Sequence, residues 1–197
     1  MTFLELAQAV KRESGLTGGG PTAFAAASGD DLRMFHWVAW AWRDIDLAHE
    51  TWSWRRGSAL ATVSAGNRTL SPTAIAPGFA LADFAAWVQA GPDYRPTKYT
   101  VADGQTTESP LEFIDYDAYR MKYVVGTHTA AGISQWTEAP NGDLLVGPTP
   151  AADTVVRAEY IKDHVALSAD WHIPTLPTRF HNLIGWYALR EYGGFDA

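Results

Sequence analysis

Residues 28–54 read SGDDLRMFHWVAWAWRDIDLAHETWSW. Apolar residues recur there every three or four positions, so the spacing predicts one long helix. Ser28 with Asp31 makes a capping-box-like start, and Asp30 and Asp31 suit the positive end of the helix dipole. At ~1.5 Å per residue this helix would be about 40 Å long. Leu32, Phe35, Ala39, Trp42, Ile45, His49 and Trp52 form one stripe. Trp37, Trp40, Ala41, Asp44, Ala48 and Thr51 form a second. A surface helix carries one apolar stripe, and this one carries nearly two. The helix is therefore expected to be covered on both sides, as the centre of a small bundle or against another subunit.

Two further helices are predicted around it. Thr2 to Leu16 has an apolar face of Phe3, Leu4, Leu6, Ala7 and Val10. Thr2 and Glu5 form a capping box at its start, and Gly15 and Gly18-Gly19-Gly20-Pro21 end it. The glycine run reads as a helix–helix loop, because no strand precedes it and no Gly-Lys-Ser/Thr follows. From about Thr178 to Tyr192 a last helix places Phe180, Leu183, Ile184, Tyr187 and Ala188 on one face, with Trp186 off it.

Between these helices the period changes to two. Leu60, Thr62 and Ser64 alternate with Ala59, Ala61 and Val63 from Arg56 onward. Ala65-Gly66-Asn67 is a turn, after which Arg68 to Ser71 returns as a strand. Ala80 to Ala90 reads as a short helix, and Lys98 to Val101 as a strand. Leu111 to Val125 begins extended and turns helical. Gly132 to Asp163 reads as a three-stranded meander, with strands at Ile133–Glu138, Asp143–Val146 and Thr154–Lys162 and a turn at Asn141-Gly142. The reading is α+β: three to four helices with a long central one, and antiparallel β-hairpins inserted between the second and the last. It treats 1–197 as one domain. Its helical core comes from about 1–55, 111–125 and 174–197, and its β elaborations from about 56–105 and 130–165.

Composition excludes several functions. The 197 residues contain no cysteine, so disulfides and thiol chemistry are out. Fifteen Lys and Arg stand against 22 Asp and Glu, a net charge of -7 that argues against electrostatic capture of nucleic acid. The N-terminus places Lys11 and Arg12 after a short apolar stretch, the reverse of a signal peptide. No stretch approaches the roughly 18 apolar residues of a membrane span.

Catalytic patterns are weak. The histidines His36, His49, His128, His164, His172 and His181 are scattered, with no pair at metal-ligand spacing on a helix. Asp170-Trp171-His172 offers two ligands and no third, and reads better as a turn anchored by Trp171. Asp46 and Glu50, one turn apart, follow the pattern of a solvated helix face. No Gly-x-Ser-x-Gly elbow or dinucleotide fingerprint occurs. No catalytic, metal or cofactor residue is assigned.

Nine tryptophans are the unusual feature. Trp37, Trp40 and Trp42 lie ~100° apart per residue step, so they spread around the helix. That arrangement suits packing on several neighbours better than a flat sugar platform. Trp52 and Trp54 with Arg55 and Arg56 mark the helix end, a composition common at interfaces. A carbohydrate- or protein-binding module is the alternative class.

The order of these features resembles a known family. The helix Phe35-His36-Trp37-Val38-Ala39-Trp40-Ala41-Trp42-Arg43-Asp44-Ile45 is followed by Trp52-Ser53-Trp54. Pro110 to Arg120, Ala158-Glu159-Tyr160 and Ile173 to Ile184 follow in turn. Together they resemble the head-to-tail adaptor (connector) proteins of tailed bacteriophages. The resemblance implies a non-enzymatic virion protein, made in the host cytoplasm and located in the neck. It implies a ring, typically of twelve copies, beneath the portal protein. That ring joins the portal to a tail or neck protein below, and DNA passes through it without specific binding. Its candidate contact residues are Trp37, Trp40, Asp44, Trp52, Trp54, Arg55, Arg56, Trp186 and Arg190. The chain stops soon after its last helix, so portal docking is expected to fall to that helix, to Arg190 or to Gly193-Gly194.

Overall fold

The structure, a computed structural model, describes residues 1–49, 52–89, 95–126 and 128–195. The fold is mixed α+β, with four α-helices and two sheets among the described residues. The chain forms two compact units. The first combines Met1–Arg55 with His164–Ala197, and the second is Arg56–Asp163.

In the first unit, α1 (Phe3–Glu13) begins at the predicted capping box. The Glu5 N–H donates to Thr2 Oγ1 (3.2 Å), and the Thr2 N–H donates to Glu5 Oε2 (2.9 Å). These bonds satisfy two amides that a helix start otherwise leaves open. α2 (Gly29–Leu47) is shorter than the residue spacing predicts. Ser28 makes no side-chain cap, and Asp31 instead pairs with Lys11 of α1 at 3.4 Å. Its end is set by side chains. The Trp52 indole donates to the Ile45 carbonyl (3.0 Å), and the chain resumes as a 3-10 turn at Ser53–Arg55. Glu50 and Thr51, predicted within this helix, lie outside the described residues. The last helix, α4 (His181–Phe195), follows a 3-10 turn at Thr178–Phe180.

α1, α2 and α4 pack against one another. Their shared core includes Leu6, Val10, Met34, Phe35, Val38, Trp42, Ile184 and Ala188. Phe3, Phe24 and Phe35 meet as a triad with ring centres 4.9–5.6 Å apart. Such geometry adds to area burial because ring edges and faces carry opposite partial charge.

In the second unit, β1 (Arg56–Val63) and β9 (Thr154–Lys162) pair antiparallel over eight positions, from Arg56↔Ile161 to Val63↔Thr154. The other side of β9 carries β3 (Phe84–Trp87) and β4 (Thr97–Thr100), and β5 (Ser109–Pro110) extends β4. The second sheet runs β2 (Thr69–Leu70), β8 (Leu144–Gly147), β7 (Gln135–Glu138), β6 (Glu112–Phe113). β6 lies parallel to β7 at one edge. The core of this unit includes Val63, Leu70, Trp87, Leu111, Trp136, Leu144, Val146, Val156 and Tyr160.

Four local readings change here. Residues 84–87 form a strand, not a helix: Phe84 and Trp87 pack on each other at 4.7 Å, and Trp87 donates its indole N–H to Gly142 O (2.8 Å). Tertiary packing overrides weak local preference. The strand after Gly66 pairs with β8 and not with β1. The meander stops after two strands, because β9 joins the other sheet, where it pairs with β1 over eight positions. Finally, α3 (Tyr116–Tyr119) and the π-turn Arg120–Val124 lie in this second unit, not with the other helices.

Candidate assembly surface and the buried acid beneath it

α2 buries Met34, Phe35, Trp37, Val38, Ala41, Trp42 and Asp46. The opposite side stays open. Trp40 is 55% exposed, and His36, Arg43, Asp44 and Leu47 are exposed beside it. A shallow groove of about 360 Å³ runs along this side, lined by Gly29, Leu32, Arg33, His36, Trp37 and Trp40. His36 and Trp40 meet edge to face at 6.3 Å. The second stripe is thus only half covered within the chain. Trp37 is 8% exposed and packs on Tyr192 at 5.5 Å, so it is a core residue that merely borders the groove.

α4 presents a second open surface. Trp186 is 64% exposed, with Leu183, Tyr187 and Arg190 exposed around it. The Arg190 guanidinium sits 4.3 Å from the Tyr187 ring centre and bonds Glu191 at 2.8 Å. Trp186 also walls a groove of about 280 Å³ between α1 and α4.

Trp52, Trp54 and Arg55 play a different part. The Trp52 and Trp54 rings stack on each other, 4.4 Å apart and 18° from parallel. Trp54 donates its indole N–H to Asp46 Oδ1 (3.0 Å), and Arg55 Nη1 donates to the Asp46 backbone carbonyl (3.1 Å). The Arg55 Nε lies 3.9 Å from Asp46 Oδ2. The same carboxylate oxygen is 2.8 Å from His164 Nδ1, and His164 lies 5.6 Å from the Trp42 ring. Asp46 is 1% exposed, the reverse of the solvated face that its spacing with Glu50 predicts. A buried carboxylate persists only where charge and hydrogen bonds compensate it. Asp46 therefore binds together the last residues before the second unit and the first residue after it. Arg56, one position on, pairs across β1 and β9 with Glu159 at 3.8 Å.

Asp170 and His172 also have structural partners. Asp170 Oδ1 accepts from the Phe24 N–H (2.7 Å), and the His172 carbonyl accepts from the Phe3 N–H (2.8 Å). The turn is tied by Asp170, while Trp171, its predicted anchor, is exposed. Among the described residues, no group of three or more His, Asp or Glu side chains is placed to hold a metal ion. No helix among them is long and apolar enough to cross a membrane.

The spacing of residues missed the Asp46–His164 pair, because 118 positions separate them. It also missed how much of α4 stays open. Apolar residues on both sides of that helix, Ile184 and Ala188 against Leu183 and Trp186, carried the signal.

Comparison with known families gives a match along the chain. The model of the SU10 adaptor protein family matches residues 1–197. No protein of curated function matches the chain.

Proposed function

The chain belongs to the SU10 adaptor protein family, and from that membership we propose that it is the head-to-tail adaptor in the neck of a tailed phage. It acts by assembly and not by catalysis. A ring of copies, twelve on the pattern of such adaptors, sits beneath the portal and connects it to the tail. DNA crosses the ring without being held, because a chain of charge -7 offers phosphates no net attraction.

The observation that supports this reading is the pair of open aromatic surfaces on α2 and α4. Exposed Trp and Tyr with neighbouring Arg is the composition that anchors protein interfaces. Trp40, Asp44, Trp186 and Arg190 supply contact surface. Trp37, Trp52, Trp54 and Arg55 support it from within, while Arg56 pairs with Glu159 in the second unit. A carbohydrate platform is disfavoured, because Trp52 and Trp54 spend on each other the ring faces a sugar would need.

The test is a cryo-EM reconstruction of the virion neck. Density for this chain between portal and tail is expected, and density only in the shell or tail tip would sink the proposal. Trp40→Ala should lower neck assembly by about tenfold while leaving thermal stability within ~0.5 kcal/mol, as for an exposed hot-spot residue.

A further inference from the structure

The outward side of α4 is unusual for an acidic chain. From Arg179 to Arg190 no Asp or Glu occurs. The exposed positions between the two arginines include Phe180, Leu183, Trp186 and Tyr187. Arg179 lies 4.7 Å from the Phe180 ring centre and Arg190 lies 4.3 Å from that of Tyr187. The opposite side of the same helix is already buried through Ile184 and Ala188. A helix that is apolar around most of its circumference needs cover on two sides.

The second unit carries a complementary surface. Glu112, Phe113, Asp115 and Asp117 are exposed, and β6 forms the outer edge of its sheet. Phe113 is 44% exposed although its inner edge packs on Trp136 at 5.2 Å. Three exposed carboxylates thus lie within four sequence positions of an open aromatic ring. Two copies of net charge -7 repel each other overall. A locally cationic surface meeting a locally acidic one offsets that repulsion and fixes which faces meet.

We propose that the Arg179–Arg190 surface, formed by α4 and the 3-10 turn before it, docks on the acidic Glu112–Asp117 segment of a second copy. This deepens the adaptor reading and rests on it. Arg179 and Arg190 meet the carboxylates, while Trp186 and Tyr187 cover Phe113. The Arg190–Glu191 pair is exposed and holds its geometry weakly, so Arg190 can change partner. The two surfaces differ, so the contact is head to tail: every copy gives α4 and receives with its acidic segment. Repeating one such contact closes a ring when the rotation divides a full turn.

The experiment uses the full chain, alone and with the phage portal protein, and counts rings by native mass spectrometry. The double reversal Arg179→Glu/Arg190→Glu and the triple reversal Glu112→Lys/Asp115→Lys/Asp117→Lys should each cut ring yield by at least about tenfold. Combining all five changes in one chain should restore rings. Trp186→Ser, which changes no charge, should also lower the yield, with unchanged circular dichroism showing that the fold persists. Rings indifferent to both reversals, or not restored by the combined swap, would overturn this contact and leave the adaptor reading standing. A wild-type chain that forms no ring with the portal would overturn both.

Discussion

Asp46 is a buried residue on which several of the first unit's polar side chains converge. Its carboxylate receives Trp54 and His164, and its backbone carbonyl receives Arg55. Asp46→Ala leaves a buried arginine without its counter-charge, which should cost about 3–5 kcal/mol. Urea unfolding of the full chain measures it. Asp46→Asn keeps an acceptor for Trp54 and should cost less. Tyr119 holds the corresponding place in the second unit. Its hydroxyl donates to Val146 O at 2.9 Å, and burial pushes its phenol up to about 12 from an ordinary value of 10. The folded chain therefore keeps this proton longer than the unfolded chain does. The stability it contributes is complete below pH 10 and is lost as pH rises through about 12. Tyr119→Phe should cost about 1 kcal/mol at neutral pH and flatten that alkaline loss, as read from urea midpoints across the range. Neither residue stands out in the sequence. Asp46 has the spacing of a surface acid, and its partner His164 is contributed by chain more than a hundred residues away.

Elements were legible where local chemistry alone defines them. The Thr2–Glu5 capping box starts α1, and the alternation over Thr154–Lys162 is a strand along its whole length. They were illegible where a distant side chain decides. α2 ends seven residues early because the returning Trp52 takes the Ile45 carbonyl. The partners of β2 and β9 lie far away in the sequence, so no local pattern encodes them. The β1–β9 ladder itself relies on a close approach. A Cβ at Gly57 would lie 2.4 Å from the Tyr160 ring, its cross-strand neighbour. Gly57→Ala should therefore destabilise the second unit by about 1–3 kcal/mol. The loss should shrink in the background of Tyr160→Ala, a coupling that a double-mutant cycle on melting temperature reads directly.

At the scale of the whole molecule, the second unit is one continuous stretch of chain with its own core. A stretch of that size buries enough apolar surface to fold by itself. Residues 56–163 expressed alone should give a β-rich circular dichroism spectrum and a cooperative melt. A featureless spectrum would refute that independence. The open side of α2 was half legible in the sequence. The two-striped α2 marked excess apolar area, but burial of Trp37 and exposure of Trp40 depend on where Tyr192 returns. The insertion also has a mechanical side. The chain enters the second unit at Arg56 and leaves after Asp163, and Arg56 is paired across the ladder with Ile161. Both tethers therefore pull on the same end of one pair of strands. A force along them opens that ladder pair by pair, as a zipper opens, and does not shear eight pairs at once. Just outside it, Asp46 bonds residues of both tethers, Trp54 and Arg55 on one and His164 on the other.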